Sequence, residues 1–260
     1  MRYIVTILGY PRTGTNYLLC FIRKYFPNFN VNFEIYNPVK CFMNEDYLQE
    51  MLDDFKLAPN ITNENKLASL ARSYPIHFIN QLKDIGKEDV LIYKIFPEHL
   101  PPQKVEKLLN ISDLVIVNQR NIIDTYISLE KAKDLLHKNV PNPWIKVNTS
   151  NLKINFEINN FRLEREKYES WYEKNLEYLH KKNIPFVRLN YEDFHELNNL
   201  EKQKFLQGIW LKYLPPDFTV IQERDSEMLE KQDTSKSYED KISNYNSFLS
   251  YIEKKNSLII

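Results

Sequence analysis

The chain has few glycines and cysteines, no excess of either charge and no long apolar run. Only two of its 260 residues are cysteine, and the spacing of Cys20 and Cys41 fits no metal site, so we expect two reduced thiols. The 35 basic residues equal the 35 acidic ones, which argues against a nucleic-acid partner because such proteins carry a basic excess. No run is long enough to span a bilayer, and the chain opens on an apolar strand rather than a signal peptide. These features predict a cytoplasmic protein without a membrane span.

No linker rich in Gly, Ser or Pro divides the sequence, which predicts a single domain over residues 1–260. Apolar runs predict strands at 3–8, 30–35, 90–95, 113–118 and 184–189. Helical patterns follow at 17–22, 45–55, 65–72, 76–84, from 101 to about 110, within 119–133, and at 157–182. Because strands and helices alternate, we predict an α/β protein in which a central parallel sheet is covered by helices on both faces, a three-layer α/β/α fold.

A loop framed by two of the four glycines lies between the first strand and the first helix. Gly9 and Gly14 have the spacing of the nucleotide-binding pattern G-x-x-x-x-G-K-[ST]. Thr15 stands where that pattern has the Lys that contacts the outer phosphates, and Asn16 stands where it has the hydroxyl that holds magnesium, so ATP–magnesium hydrolysis is disfavoured. The N–H groups at a helix N-terminus, with Arg12 in the loop, instead predict a site for an anion whose transferring group needs no metal.

A second segment in the middle of the chain also consists of a buried strand, an Arg and a helix. Together with the loop it resembles the sulfotransferases that use 3′-phosphoadenosine 5′-phosphosulfate. That family has two motifs, P-[KR]-[ST]-G-[TS]-[TN] near the N-terminus and R-N-P-x-D-x-x-x-S further on. The first motif is matched by Pro11, Arg12, Thr13, Gly14 and Thr15. The second is matched by Arg120, Asn121, Asp124 and Ser128, with Ile122 in place of the Pro. The resemblance implies a P-loop nucleoside-triphosphatase-like fold and the release of adenosine 3′,5′-bisphosphate as product.

The resemblance also implies a role for each matched residue. Arg12 would neutralise the bridging oxygen and the 5′-phosphate of the donor, although it could be a solvated loop cation. Arg120 and Ser128 would bind the 3′-phosphate, with a capping Arg and an ordinary helical Ser as the plainer alternatives. Tyr191 would lie near the adenine, and Lys231 of the C-terminal region would reach the 3′-phosphate. The rest of the binding loop runs from Pro11 to Asn16. Its N–H groups and side chains would donate hydrogen bonds to the same 5′-phosphate from Thr13, Gly14, Thr15 and Asn16.

The base that deprotonates the acceptor has two candidates. Relatives that act on phenols and steroids have a His two residues after a strand-end Lys, but this chain has Phe96 at that distance from Lys94. Relatives that act on sugars have a carboxylate shortly after the first helix, where this chain has Glu34. The apolar neighbours of Glu34 predict a raised pKa for its carboxyl group, although it could be the solvent-facing member of an alternating strand. His99 is the second candidate.

The sequence therefore predicts an enzyme, a sulfotransferase whose acceptor is a hydroxyl of a glycan, a glycolipid or a small saccharide. The acceptor class follows from the carboxylate base, which suits the sugar-modifying relatives. Two alternatives remain open. One is a degenerate P-loop protein that binds an adenine nucleotide without catalysis, and the other is a nucleotide kinase in which Arg12 replaces the lysine.

Overall fold

A computed structural model describes residues 3–57, 61–137, 148–215, 222–223 and 237–256. Within these ranges, five strands form one parallel sheet in the order β2-β3-β1-β4-β5. The strands are β1 (Tyr3–Leu8), β2 (Phe29–Val31), β3 (Val90–Ile95), β4 (Leu114–Gln119) and β5 (Phe186–Asn190). The α/β class and the central parallel sheet predicted from the alternating pattern are confirmed.

Helices connect the strands, and most begin and end within a few residues of the predicted bounds. They are α1 (Thr15–Tyr25), α2 (Glu45–Asp54), α3 (Ile61–Ser73), α4 (Pro75–Ile85), α5 (Pro102–Asn110), α6 (Ile122–His137), α7 (Ile158–Lys181), α8 (Tyr191–Glu196), α9 (Asn199–Tyr213), α10 (Tyr238–Lys241) and α11 (Tyr245–Asn256). None of the helices in the described ranges combines the length and the apolar composition needed to cross a bilayer.

The second strand is shorter than predicted. The sequence pattern predicts a strand over 30–35, but β2 ends at Val31. Asn32 ends the strand because its side chain turns to other polar groups: its Nδ2 donates to Asn30 Oδ1 at 2.9 Å, and its Oδ1 accepts from the backbone N–H of Asn44 at 3.0 Å. Glu34 therefore lies beyond the strand, so the predicted extent of the strand to residue 35 is wrong, as is the alternative that Glu34 is a solvent-facing member of it.

The described residues fall into two compact units. The first lies within Met1–Gln119 and Tyr172–Met228, and the second within Arg120–Trp171 and Leu229–Ile260. The single domain predicted over residues 1–260 stays a prediction.

The core of the first unit consists of apolar side chains from the sheet and the helices that cover it. Phe26 and Phe29 pack against the fully buried Trp210 of α9, with ring centroids 6.0 and 4.9 Å from it. Burial of these apolar side chains, aliphatic and aromatic together, is the main driving force for folding this unit. The second unit has its own aromatic cluster, in which Phe156 contacts Tyr126 and Phe248.

The strand order determines where a ligand can bind in the first unit. From β1 the chain passes to β2 on one side of the sheet, and from β4 it passes to β5 on the other side. The carboxyl ends of β1 and β4 thus form a topological switch point, where open α/β sheets bind ligands. The loop with the two glycines follows β1 at this edge.

Candidate active site

The loop after β1 contains a tight turn from Tyr10 to Thr13. Both the backbone N–H and the Oγ1 hydroxyl of Thr13 donate to the carbonyl oxygen of Tyr10, at 3.2 and 2.7 Å. Pro11 and Arg12 occupy the two central positions, and Arg12 has a φ of 70°. A left-handed backbone favours Gly at that position and costs an Arg about 1 kcal/mol. Such strain is typical of ligand-binding loops.

Gly14 lies between this turn and the first helix. It has a φ of 80° and is the N-cap residue of α1. A Cβ atom added to it would lie 2.1 Å from the ring of Tyr191, so no larger residue fits. Gly14 has no side chain with which to cap the helix, and the first turn carries no acidic residue. The first N–H groups of α1 are therefore suited to bind an anion.

A hydrogen bond from Asn118 of β4 holds this loop against the sheet. Its side chain is buried, and its Nδ2 donates to the carbonyl oxygen of Thr13 at 2.7 Å. The backbone carbonyl of Asn118 accepts a hydrogen bond of 2.5 Å from the hydroxyl of Tyr172. Because the loop is held by a strand that is itself anchored, its backbone conformation is fixed by the protein's own hydrogen bonds.

A buried lysine lies next to the loop. Lys94, near the carboxyl end of β3, is only 1% exposed, and its Nζ donates to Oδ1 of Asn16 in the first turn of α1. The same Nζ lies 2.9 Å from Oε1 of Glu34 and 4.7 Å from the centre of the Phe96 ring. Burial, together with the positive charge of Arg12, lowers the pKa of Lys94, while the Glu34 carboxylate opposes this shift.

Glu34 lies at the centre of a hydrogen-bonded group. Its side chain is 23% exposed and pairs with Lys94 through Oε1. Its Oε2 accepts from Nδ2 of Asn37 at 2.8 Å and lies 3.8 Å from Nε2 of His99. Each carboxylate oxygen therefore has at least one partner, which holds the group in one orientation.

The raised pKa predicted for Glu34 is wrong. Burial does raise the pKa, as the apolar neighbours in the sequence suggested, but the nearby His99 side chain and the charge of Lys94 outweigh it. The pKa of Glu34 lies well below its ordinary value, because both partners favour the ionised form. The carboxylate is therefore ionised at neutral pH.

His99 is less available than Glu34 as a base. It is buried, and its Nδ1 accepts the backbone N–H of Phe96 at 3.2 Å. This hydrogen bond places the proton of a neutral imidazole on Nε2, the nitrogen that faces Glu34. In this arrangement the protonated Nε2 faces Glu34 and Nδ1 already accepts from Phe96, so neither nitrogen is free to take a proton from an acceptor.

Tyr191 lies at the start of α8, directly after β5. Its ring closes over Gly14, stacks on His195 at a centroid distance of 5.3 Å, and meets the edge of Tyr17 at 6.5 Å. Tyr191 thus provides a partly exposed aromatic surface beside the N-terminus of α1, as a residue near an adenine would.

The remaining predicted donor-binding residues do not belong to the described part of the first unit. Arg120 directly follows β4 and belongs to the second unit, where its backbone N–H and carbonyl both bond to the hydroxyl of Tyr168 at 3.1 and 2.7 Å. Ser128 is on α6 of the same unit, one turn after Asp124, which pairs with Lys241 at 3.2 Å. Lys231 lies outside the described residues.

The structure thus brings together Arg12, the rest of the loop, Glu34, His99 and Tyr191 in the first unit. The candidate site residue that sequence reasoning missed is Lys94, which the prediction used only to note the absence of a His after it. Its signal was a charged residue in the otherwise apolar strand Val-Leu-Ile-Tyr-Lys-Ile, which is buried along its whole length. A charge in such a strand requires a partner or a function.

Comparisons of the chain with protein-family models, curated proteins and solved structures found no match. In the described ranges, no three His, Cys, Asp or Glu side chains come together in a group that could hold a metal ion.

Proposed function

We propose that this protein is a sulfotransferase that moves a sulfuryl group from 3′-phosphoadenosine 5′-phosphosulfate to a hydroxyl of a carbohydrate or glycolipid. One observation carries the proposal. The buried Lys94 ammonium contacts Asn16 at the start of α1 on one side and the Glu34 carboxylate on the other. A cation and a carboxylate next to an anion-binding loop supply both charges that sulfuryl transfer needs.

The residues present fit the donor. The N–H groups of the first turn of α1 and the guanidinium of Arg12 suit its 5′-phosphate, and the spacing of Gly9 and Gly14 at the sheet's switch point supports a P-loop-like role for the loop. Binding of the 3′-phosphate by Arg120 and Ser128 rests on the sequence motif.

The chemistry follows from the charges. An acceptor oxygen forms a bond to sulfur while the bond from sulfur to the bridging oxygen breaks, and negative charge appears on the 5′-phosphate. Lys94 and Arg12 neutralise that charge. The acceptor proton passes to Glu34.

The Lys94–Glu34 pair couples these two tasks. While Lys94 holds Glu34, the pKa of the carboxyl group is too low for an efficient base. When the ammonium turns toward the leaving oxygen, it no longer lowers that pKa, and Glu34 gains proton affinity as the acceptor needs it. Asn37 keeps the carboxylate oriented throughout.

Thermal unfolding with added nucleotides tests the donor assignment. We expect adenosine 3′,5′-bisphosphate to raise the melting temperature because it binds the folded state only, whereas ATP with magnesium should not. Arg12→Ala should lose most of this stabilisation. Arg188→Ala, which removes an exposed Arg from β5, is the matched control and should keep it.

The same experiment separates the alternatives. Equal stabilisation by ATP with magnesium would favour the nucleotide kinase. Binding of the bisphosphate, without transfer of labelled sulfate to any of a panel of saccharides, glycolipids and phenols, would favour a nucleotide-binding protein without catalysis. No stabilisation by any of these nucleotides would overturn the proposal.

A further inference from the structure

We infer that Phe42 is the acceptor-binding residue of this site, and that its ring provides a surface on which a neutral pyranose ring lies beside Glu34. The inference rests on the proposed function, and it adds to it a residue and a mode of binding for the acceptor. Four features of the segment from Glu34 to Phe42 carry it: backbone pairing, exposure, rigidity and charge.

Backbone pairing places the two side chains together. The N–H of Glu34 donates to the carbonyl of Phe42 at 3.0 Å, and the N–H of Phe42 donates to the carbonyl of Glu34 at 3.2 Å. This reciprocal exchange defines an antiparallel hydrogen-bonded pair. Residues paired in this way project their side chains to the same face. The side chains of Phe42 and Glu34 therefore lie on the same face of this pair.

The ring is exposed where a ligand could reach it. Phe42 is 43% exposed, whereas most Phe side chains of the first unit are buried in its core. The carboxylate beside it keeps 23% of its side-chain surface. Covering an exposed aromatic face with an apolar ligand surface is favourable, and an aromatic ring next to a polar group is a common form of binding site.

Asn37 ties the Glu34 carboxylate to the backbone of the segment that leads to Phe42. Its Nδ2 donates to Oε2 of Glu34 at 2.8 Å, and its Oδ1 accepts the backbone N–H of Val39 at 2.9 Å. A single amide thus connects the carboxylate to the turn that leads to Phe42. A ligand that uses both groups would have little ordering to impose, which improves affinity.

The local charge favours a neutral ligand. An aromatic face beside a lone carboxylate would attract a cation. Here Lys94 already neutralises Glu34, and the charge of Arg12 also acts on Lys94, so an ammonium ligand would be repelled. The C–H groups on one face of a pyranose are weakly positive and uncharged overall, which suits the negative face of the Phe42 ring. Its hydroxyls would then lie near Glu34.

Saturation-transfer NMR on the full chain tests the inference with defined probes: methyl β-D-glucopyranoside, methyl β-D-galactopyranoside and choline. We expect saturation of the axial ring protons of at least one pyranoside in the wild type. Phe42→Ala should weaken that binding about tenfold, the scale of one stacked-ring contact, and Phe42→Trp should retain it. Phe205→Ala is the matched control, because Phe205 of α9 is 42% exposed, and it should bind as the wild type does.

Equal pyranoside binding by Phe42→Ala and the wild type would overturn the inference, as would an equal loss in Phe205→Ala, binding of choline instead, or no pyranoside binding. Calorimetry with adenosine 3′,5′-bisphosphate separates failure of this inference from failure of the proposed function. Phe42-dependent sugar binding without bisphosphate binding would overturn the sulfotransferase and leave the sugar surface. Sulfuryl transfer that does not depend on Phe42 would overturn the sugar surface and leave the sulfotransferase.

Discussion

Removal of the Lys94 ammonium is the perturbation whose effect the structure defines best. Lys94→Met keeps the length of the side chain but leaves the Glu34 carboxylate, 23% exposed, without its ion-pair partner. Truncating one member of a buried pair costs about 3–5 kcal/mol, because the other charge stays buried. Asn37 and the remaining exposure still solvate Glu34 in part, so we expect a loss in the free energy of unfolding near the lower limit, about 3 kcal/mol at pH 7.

The loss should depend on pH in a defined direction. Because the native pKa of Glu34 is depressed, the ionised carboxylate contributes stability above its unfolded pKa of about 4.3, and this contribution disappears as the pH falls through the native pKa. In Lys94→Met the pKa of Glu34 should rise, since burial then acts against fewer partners. As the pH falls, folded Lys94→Met takes up a proton on Glu34. The difference in the free energy of unfolding between the variant and the wild type should therefore shrink toward acid pH.

Urea denaturation of the two proteins at pH 7 and at acid pH, followed by circular dichroism, measures both effects. Lys24→Met is the control: Lys24 forms a 3.2 Å pair with Glu223, which is 66% exposed, and its loss should cost under about 1 kcal/mol. Adding Glu34→Gln to Lys94→Met should restore much of the stability, because no buried charge then remains. A loss as small as that of Lys24→Met, or no recovery in the double variant, would refute the reasoning.

Substitutions at four residues, Arg12, Gly14, Arg120 and Glu34, test the site. Arg12→Ala should lower turnover roughly 10²- to 10³-fold, while Arg12→Lys keeps much of it; steady-state kinetics with labelled donor decide, and near-normal turnover of the Ala variant would exclude the loop from transfer. Gly14→Ala should abolish stabilisation by adenosine 3′,5′-bisphosphate, because its Cβ meets the Tyr191 ring; an unchanged melting shift would contradict this. Arg120→Ala should weaken calorimetric binding of the 3′-phosphorylated nucleotide by about 2 kcal/mol and leave that of 5′-AMP unchanged; equal losses would indicate a structural role. Glu34→Gln should keep donor affinity while turnover falls by about two to four orders of magnitude. Because the pKa of Glu34 is depressed, wild-type turnover should fall through this group only below about pH 4.3, and a near-normal rate for Glu34→Gln would make His99→Ala the next measurement.

The sequence by itself determined the sheet and the loop. The apolar runs that became β1, β3 and β4 are buried on both faces of a parallel sheet, so their composition alone identifies them. The position of the loop was equally predictable, because Pro11 favours a turn and Gly14 tolerates the left-handed backbone that leads into the helix, whereas the left-handed conformation of Arg12 was not.

Only the tertiary structure decided the state of Glu34. Its neighbours in the sequence indicate burial, and burial alone raises the pKa of a carboxyl group. The partner that reverses the shift is far away in the chain. Register between parallel strands, with Val31 opposite Ile92, carries the residues after β2 alongside the end of β3, where Lys94 lies 2.9 Å from Glu34. A hydrophobic pattern reports which face of a strand is buried, but the pairing of two strands is set by contacts between distant residues. For that reason the ion pair, and with it the electrostatics of the candidate site, could not be predicted from either segment alone.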